Sequence, residues 1–158
     1  MHTLTVERTL KAPPGLVWRC MTEPALIARW FAPAPVTVTH VDVEARPGGA
    51  FHLVMDVPDV GDIEGVAGCV LEAVPEKRLT WTSALGPGFA PNPAPAEGAF
   101  HFTAIMSLAP LEAPAEGTRY RAEVIHADAA GRAAHEAMGF HDGWAQTAEQ
   151  LGNLAATL

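Results

Sequence analysis

The sequence predicts an α+β fold in which a curved seven-stranded antiparallel sheet surrounds a long C-terminal helix, with two short helices between strands one and two. Two observations predict it. Seven segments alternate apolar and polar residues as strands do. The last 24 residues, from His135 to Leu158, instead repeat apolar residues with the period of a helix. A chain of 158 residues fits one domain, so residues 1–158 are expected to form a single unit.

The first strand and the two short helices follow from local patterns. Residues 3–10 alternate and predict strand one. Pro13 and Pro14 end that strand and suit the first turn of a helix, because proline lacks the N–H that a first turn leaves free. Thr22 can cap a second helix that extends to Trp30.

Six more strands are predicted after these helices. They comprise residues 36–44, 51–57, 63–74, 78–83, 100–108 and 118–126. Gly65 and Gly68 lie inside the fourth strand, where glycine indicates a bulge or a bend. Residues 85–98 contain four prolines and three glycines and predict a long loop. Two interpretations stay open: the loop covers one end of a cavity through Phe89, or it is a surface loop.

The final helix is predicted to be amphipathic along its whole length. With His141 at the centre of the inward face, Gln146 and Gln150 fall on the opposite side, as do Gly139 and Gly143. The inward face ends in small residues, which cannot fill the space inside a curved sheet, so an internal cavity is expected. Two interpretations of Gly139 and Gly143 stay open: they mark a helix that starts later than the pattern suggests, or they contact a partner subunit. The glycine face and the sheet edges permit a homodimer.

The composition excludes several classes of partner. A net charge of −8 argues against nucleic acids and anionic membranes, since both require basic surface. No secretory leader and no apolar run of membrane-spanning length is visible, so a cytoplasmic protein is expected. Cys20 and Cys69 match no metal or redox motif and are expected to be buried free thiols.

A set of short motifs, in order along nearly the whole chain, resembles the START-like or SRPBCC superfamily, which includes the birch-pollen-allergen fold. Within it, the chain is similar to bacterial homologues of the ATPase activator of the 90-kDa heat-shock protein. The resemblance implies the helix-grip fold. It transfers no catalytic motif, because the superfamily includes carriers, cyclases, receptors and chaperone co-factors. The motifs are Val17-Trp18, Glu23-Pro24-Ala25-Leu26, Trp30-Phe31, Arg46-Pro47-Gly48-Gly49, Gly68, Leu71-Glu72, Val74-Pro75-Glu76-Lys77-Arg78-Leu79, Trp81-Thr82, Gly117-Thr118-Arg119-Tyr120 and Gly143-Trp144.

Aromatic, methionine and helix residues are expected to line the cavity if the resemblance holds, because such side chains form an adaptable apolar surface. The alternative is that the same side chains fill a solid core. The predicted lining comprises Phe51, Leu53, Met55, Trp81, Phe100, Phe102, Met106, His141, Trp144 and Ala148.

His141 is the predicted polar residue of this cavity, where it would orient a ligand hydroxyl or exchange a proton near neutral pH. The alternative is a histidine that satisfies local backbone groups. Glu64 and Glu72 would act as acids or bases only if their strands turned them inward. His135 and His141 are six residues apart and do not share a helix face, so no metal site is predicted. No cofactor is expected.

The sequence therefore predicts a protein that binds a small hydrophobic or aromatic molecule as a carrier, sensor or sequestering protein, without turnover. One alternative is an enzyme of the polyketide cyclase or aromatase type that uses His141 or a buried carboxylate. The other, based on the resemblance alone, is a protein that modulates a chaperone through its surface.

Overall fold

The computed structural model describes residues 2–158. Ten strands and four α-helices are present in this part of the chain, together with a single 3-10 turn at Pro87–Phe89. In chain order they are β1 (Thr3–Leu10), α1 (Pro14–Thr22), α2 (Pro24–Ile27), β2 (Thr37–Val43), β3 (Ala50–Val57), β4 (Gly61–Glu64), β5 (Gly68–Val74), β6 (Arg78–Thr82), β7 (Leu85–Gly86), β8 (Ala90–Pro91), β9 (Phe102–Pro110), β10 (Thr118–His126), α3 (Ala129–Ala137) and α4 (Phe140–Ala155).

Seven strands form a curled antiparallel sheet in the order β1-β10-β9-β6-β5-β3-β2, and the short β4 pairs with β3. Register shifts between Val38 and His40 and between Val70 and Glu72 interrupt the ladders of two strands. Such irregularities bend a strand and increase its twist, which favours a curled sheet. The α+β helix-grip fold that the sequence predicts is confirmed.

The predicted fourth strand is wrong in one respect, because residues 65–67 divide it into β4 and β5. Both pieces pair with β3. Gly68 begins the second piece at a point where the strands are crowded. A Cβ there would lie 2.7 Å from the carbonyl oxygen of Thr82 and 3.1 Å from that of Phe51, so only glycine fits.

The C-terminal helix is wrong as one continuous element, because it is two helices, and the alternative that Gly139 marks a later helix start is confirmed. Asp128 caps α3 by accepting a hydrogen bond from the backbone N–H of Gly131 at 2.7 Å. The chain then turns at Gly139, whose φ of +93° is a left-handed conformation that interrupts the helix and that glycine adopts without strain. Phe140 therefore begins a new helix.

The core lies between the concave side of the sheet and α4. Leu151 and Ala155 are buried there beside Leu4 and Leu10 of β1 and Val17 of α1. Cys20 and Cys69 are free and buried, as predicted. None of the helices in residues 2–158 has the length and apolar composition needed to cross a membrane.

Candidate functional site

A cavity of about 390 Å³ lies between the sheet and the corner formed by α3 and α4. Strands β3, β9 and β10 form one side, the helical corner forms another, and the segment that follows α2 forms the third. The lining residues are Trp30, Phe31, Pro33, Met55, Phe102, Met106, Tyr120, His135, Met138, Gly139, Phe140, Gly143, Trp144 and Thr147.

The lining is aromatic and sulfur-rich and carries no Lys, Arg, Asp or Glu side chain. Six of its fourteen residues are Trp, Phe or Tyr, and three are Met. Aromatic rings provide large rigid contact surfaces, and methionine adapts to irregular shapes. Such a surface favours an apolar or aromatic molecule and disfavours an ion, because a buried charge without a partner is costly.

Four of the predicted lining residues are in this cavity: Met55, Phe102, Met106 and Trp144. Phe51 and Trp81 are outside it and stack on one another with ring centroids 4.0 Å apart. Both contact Phe31, which does line the cavity. They therefore support the lining from behind.

The other apolar predictions are also displaced from the cavity. Ala148 is fully buried in the packed core. Leu53 is half-buried and packs against that core. Phe100 lies against the ring of His135, with centroids 4.8 Å apart. These three residues are not among those that line the cavity, which corrects the prediction for each of them.

His141 lies on the surface, which corrects the main polar prediction. Its side chain is 56% exposed, and its Nε2 is 2.8 Å from a carboxylate oxygen of Glu136. Helical phase does not account for this, because His141 is seven residues from the fully buried Ala148 and so lies within about 20° of it around the helix. The difference is the position along the helix, since His141 lies in the first turn of α4, where Glu136 of α3 contacts it.

The histidine that reaches the cavity is His135, on the last turn of α3. It is buried, and its Nδ1 lies 2.9 Å from Nε2 of His126. The Nδ1 of His126 lies 2.9 Å from the backbone carbonyl oxygen of His2. The two imidazoles thus form a chain of hydrogen bonds that runs from the start of β1 to the cavity.

Burial lowers the pKa of His135 from 6.5 to about 4, and the neighbouring imidazole of His126 lowers it as well. The imidazole of His135 is therefore neutral at physiological pH. A neutral imidazole has one N–H and one lone pair, so it can accept a hydrogen bond or a proton at its free nitrogen.

Tyr120 is a second polar residue that the sequence analysis did not assign to the cavity. It lies on the buried face of β10 with Ala122, Val124 and His126. Its side chain is only 2% exposed and lines the cavity, and burial raises the pKa of its phenol. The alternation of β10 in the sequence carried the signal that Tyr120 and His126 share a buried face.

Two glutamines of α4 attach the third side of the cavity to the helix. Gln150 donates to the carbonyl oxygens of Trp30 and Ala32 at 2.9 and 2.7 Å, and it accepts from the N–H of Ala34. Gln146 donates to the carbonyl oxygen of Ala34. The helix face that looked merely polar in the sequence thus positions the segment that contains Trp30, Phe31 and Pro33.

Neither strand carboxylate reaches the cavity. Glu64 is 67% exposed and pairs with His52, and Glu72 pairs with Arg78 at the surface. Phe89 packs on Gly48 rather than over the cavity, and the proline-rich loop is held by Asn92, which donates to the carbonyl oxygens of Ala67 and Ser83. Of the two interpretations of this loop, the structure supports the surface loop.

Gly139 and Gly143 also differ from the sequence analysis, because both line the cavity instead of an outer face. Met138 lies beside them and is 75% exposed, so this corner is the mouth of the cavity. No group of three or more His, Cys, Asp or Glu side chains within residues 2–158 is arranged to hold a metal ion.

Comparison with known proteins identifies the family. The model of the family described as Activator of Hsp90 ATPase homolog 1-like protein matches residues 11–156. The chain belongs to this family. A search of the curated proteins found no match.

Solved structures of related proteins agree over the full length of the family domain. A protein from Nitrosomonas europaea is 40% identical, with a TM-score of 0.89 and coverage of 98% of this chain and 94% of that chain. A protein from Rhodobacter sphaeroides is 23% identical, with a TM-score of 0.80 and coverage of 99% and 93%. The AHSA1 protein from Silicibacter pomeroyi is 18% identical, with a TM-score of 0.71 and coverage of 98% of both chains. The last two show the shared fold.

Proposed function

We propose that this protein binds a small hydrophobic or aromatic molecule in its cavity and acts as a cytoplasmic carrier, sensor or sequestering protein, without catalytic turnover. The observation that carries the proposal is the cavity of about 390 Å³ with its lining of aromatic and methionine side chains. Its volume is in the range of small-molecule sites, which are about 300–1,000 Å³ and mostly apolar with a few polar groups.

A thermal-shift and calorimetric screen tests this with naphthalene, 1-naphthol, indole and dodecanoate. A ligand at 100 times its dissociation constant adds about 2.7 kcal/mol of stability. For a domain of this size we expect roughly 5–10 °C of stabilisation by the aromatic compounds. The absence of any shift across the panel would contradict the proposal.

Gly143→Phe is the matching cavity variant. A Cβ at Gly143 meets no atom within 4 Å, and the residue lines the cavity within a regular helix, so a phenyl ring can enter without distorting the backbone. We expect this variant to fold and to lose most of the ligand-induced shift. Glu149→Phe, on an exposed position of the same helix, is the control and should retain it. Equal binding by the two variants would locate the ligand elsewhere.

A cyclase-type enzyme is a second candidate, and the free Nε2 of His135 on the cavity lining favours it. A neutral imidazole there can act as a general base. This function requires turnover of an aromatic polyketide-type substrate that is lost in His135→Phe while binding remains. Binding without product formation in the wild-type protein would exclude it.

An activator-type interaction is a third candidate, favoured by the family description and by exposed apolar residues on the β3–β4 hairpin and just after it. Val60, Ile63 and Val66 are 71%, 51% and 48% exposed there. The 90-kDa heat-shock ATPase would then be stimulated equally by wild type and Gly143→Phe, and less by Ile63→Glu. Equal rates with and without this protein would exclude the activity.

A further inference from the structure

We propose that the ligand is a neutral aromatic molecule with a hydrogen-bond donor, such as a phenol-type hydroxyl, and that it donates this hydrogen bond to Nε2 of His135. This inference rests on the proposed binding function and specifies its ligand class. It follows from the order of hydrogen bonds through two buried histidines and from the absence of charge on the cavity lining.

The backbone carbonyl of His2 determines the direction of the hydrogen bonds. A carbonyl oxygen only accepts, so Nδ1 of His126 must carry the proton of the 2.9 Å contact. In neutral His126 the other nitrogen, Nε2, is then an acceptor. The 2.9 Å contact to His135 therefore requires the proton on Nδ1 of His135. The remaining nitrogen of His135, Nε2, is left with a lone pair and no proton.

That nitrogen belongs to a residue of the cavity lining. Nε2 of His135 forms no hydrogen bond in residues 2–158, whereas every fully enclosed polar side-chain atom in those residues has a partner. The atom is thus accessible, and the residue, only 8% exposed, lines the cavity. The rings of Phe102 and Phe140 lie 5.1 Å from the His135 ring and fix its position. The cavity therefore presents an oriented acceptor within an aromatic surface.

The lining also excludes ionic ligands. No lysine or arginine side chain lines the cavity, so a carboxylate or phosphate would be buried without a counter-ion beside an imidazole lone pair. The nearest charged neighbours in sequence, Arg132 and Glu136, are partly exposed and pair with each other at 3.6 Å. Tyr120 does not change the expected ligand class, because its hydroxyl can either donate a hydrogen bond to the ligand or accept one from it.

Four ligands of matched shape test the inference by calorimetry: 1-naphthol, 1-methoxynaphthalene, naphthalene and 1-naphthoate. We expect 1-naphthol to bind about tenfold or more tightly than naphthalene and 1-methoxynaphthalene, because only the hydroxyl can donate to Nε2. We expect no binding of 1-naphthoate. Equal affinity for 1-naphthol and its methyl ether would overturn the donor requirement while leaving the binding function intact. Failure of all four to bind would overturn both.

Two histidine variants and a control separate the role of His135 from general packing. His135→Phe preserves the aromatic contacts and should bind naphthalene normally but lose the preference for 1-naphthol. His126→Phe, at a positioning residue, should weaken that preference. It removes the acceptor that holds the proton of His135 on Nδ1, so this proton can move to Nε2. His141→Phe, at the exposed histidine, should retain the preference. A preference that persists in His135→Phe would overturn the assignment.

Nitrogen NMR of the wild-type protein supplies a test that does not depend on whether a variant folds. We expect both His126 and His135 to show protonated Nδ1 and unprotonated Nε2 at neutral pH. Addition of 1-naphthol should shift the Nε2 resonance of His135 more than that of any other histidine. A protonated Nε2 on His135 in the free protein would contradict the proposal.

Discussion

The two ends of α4 meet the rest of the molecule in different ways, and two glycines nine positions apart show the difference. At Gly143 an added Cβ would meet no atom within 4 Å, and the residue lines the cavity. At Gly152 an added Cβ would lie 2.9 Å from Cδ2 of Leu10, in the core. One helix thus borders the cavity at its start and packs tightly against β1 at its end. The cavity and the packed core therefore lie against separate turns of α4.

The largest expected effect on stability is that of a bulky residue at Gly152, in the packed end of α4. Gly152→Leu should lower the free energy of unfolding by about 1–3 kcal/mol, because the extra atoms displace Leu10 from a filled core. Gly143→Leu should instead raise stability by up to about 1 kcal/mol, since leucine favours a helix more than glycine does. Urea denaturation of both variants measures the difference. Equal destabilisation would mean that the two ends are packed alike.

The next largest effect on stability is expected at Gln150, which lies between these two glycines in α4 and binds the segment after α2. Gln150→Ala removes the donor to the carbonyl oxygens of Trp30 and Ala32 and should cost about 1–2 kcal/mol. Gln146→Ala, which removes one bond to the carbonyl oxygen of Ala34 and a longer one to Oε1 of Gln150, should cost less. The same denaturation experiment compares them. If Gln146→Ala lowered stability more than Gln150→Ala, Gln146 rather than Gln150 would be the main attachment of the segment after α2 to the helix.

The smallest expected effect is the contribution of His135, beside the cavity, to the pH dependence of stability. It is negligible at neutral pH and appears only in acid. Because the pKa of His135 is lowered from 6.5 to about 4, the unfolded chain binds a proton in this range that the folded chain does not. The stability that neutral His135 contributes is complete above pH 6.5 and is lost as the pH falls towards 4. His126 is the titratable group in contact with its ring, and Glu136 is its neighbour in sequence.

Denaturation midpoints of wild type and His135→Phe between pH 7 and pH 4 measure this contribution. We expect the midpoint of the wild-type protein to fall more steeply than that of the variant. The hydrogen bond from His141 that lowers the pKa of Glu136 is present in both proteins, so its contribution cancels. His40→Phe, at an exposed histidine, should follow the wild-type curve. Parallel curves for wild type and His135→Phe would contradict the assignment.

Part of the cavity lining was predictable from the sequence, because every second residue of a strand lies on the same face of the sheet. The parity of β9 places Phe102 and Met106 together, and both line the cavity. The parity of β10 likewise puts Tyr120 and His126 on the buried face. His135 could not be found in this way. Its partner His126 lies nine residues earlier on another element, and the contact exists only because α3 folds back onto the end of β10.

The sequence by itself determined the helix-grip fold, the order of its seven main strands and the aromatic and sulfur-rich character of the interior, because these depend on local periodicity and composition. Only the tertiary structure decided which histidine lines the cavity. A left-handed Gly139 divides the predicted helix and makes Phe140 the first residue of α4, so that His141 lies in the exposed first turn beside Glu136. Three-dimensional packing then brings His2, His126 and His135 into one chain of hydrogen bonds, and no spacing in the sequence encodes that contact.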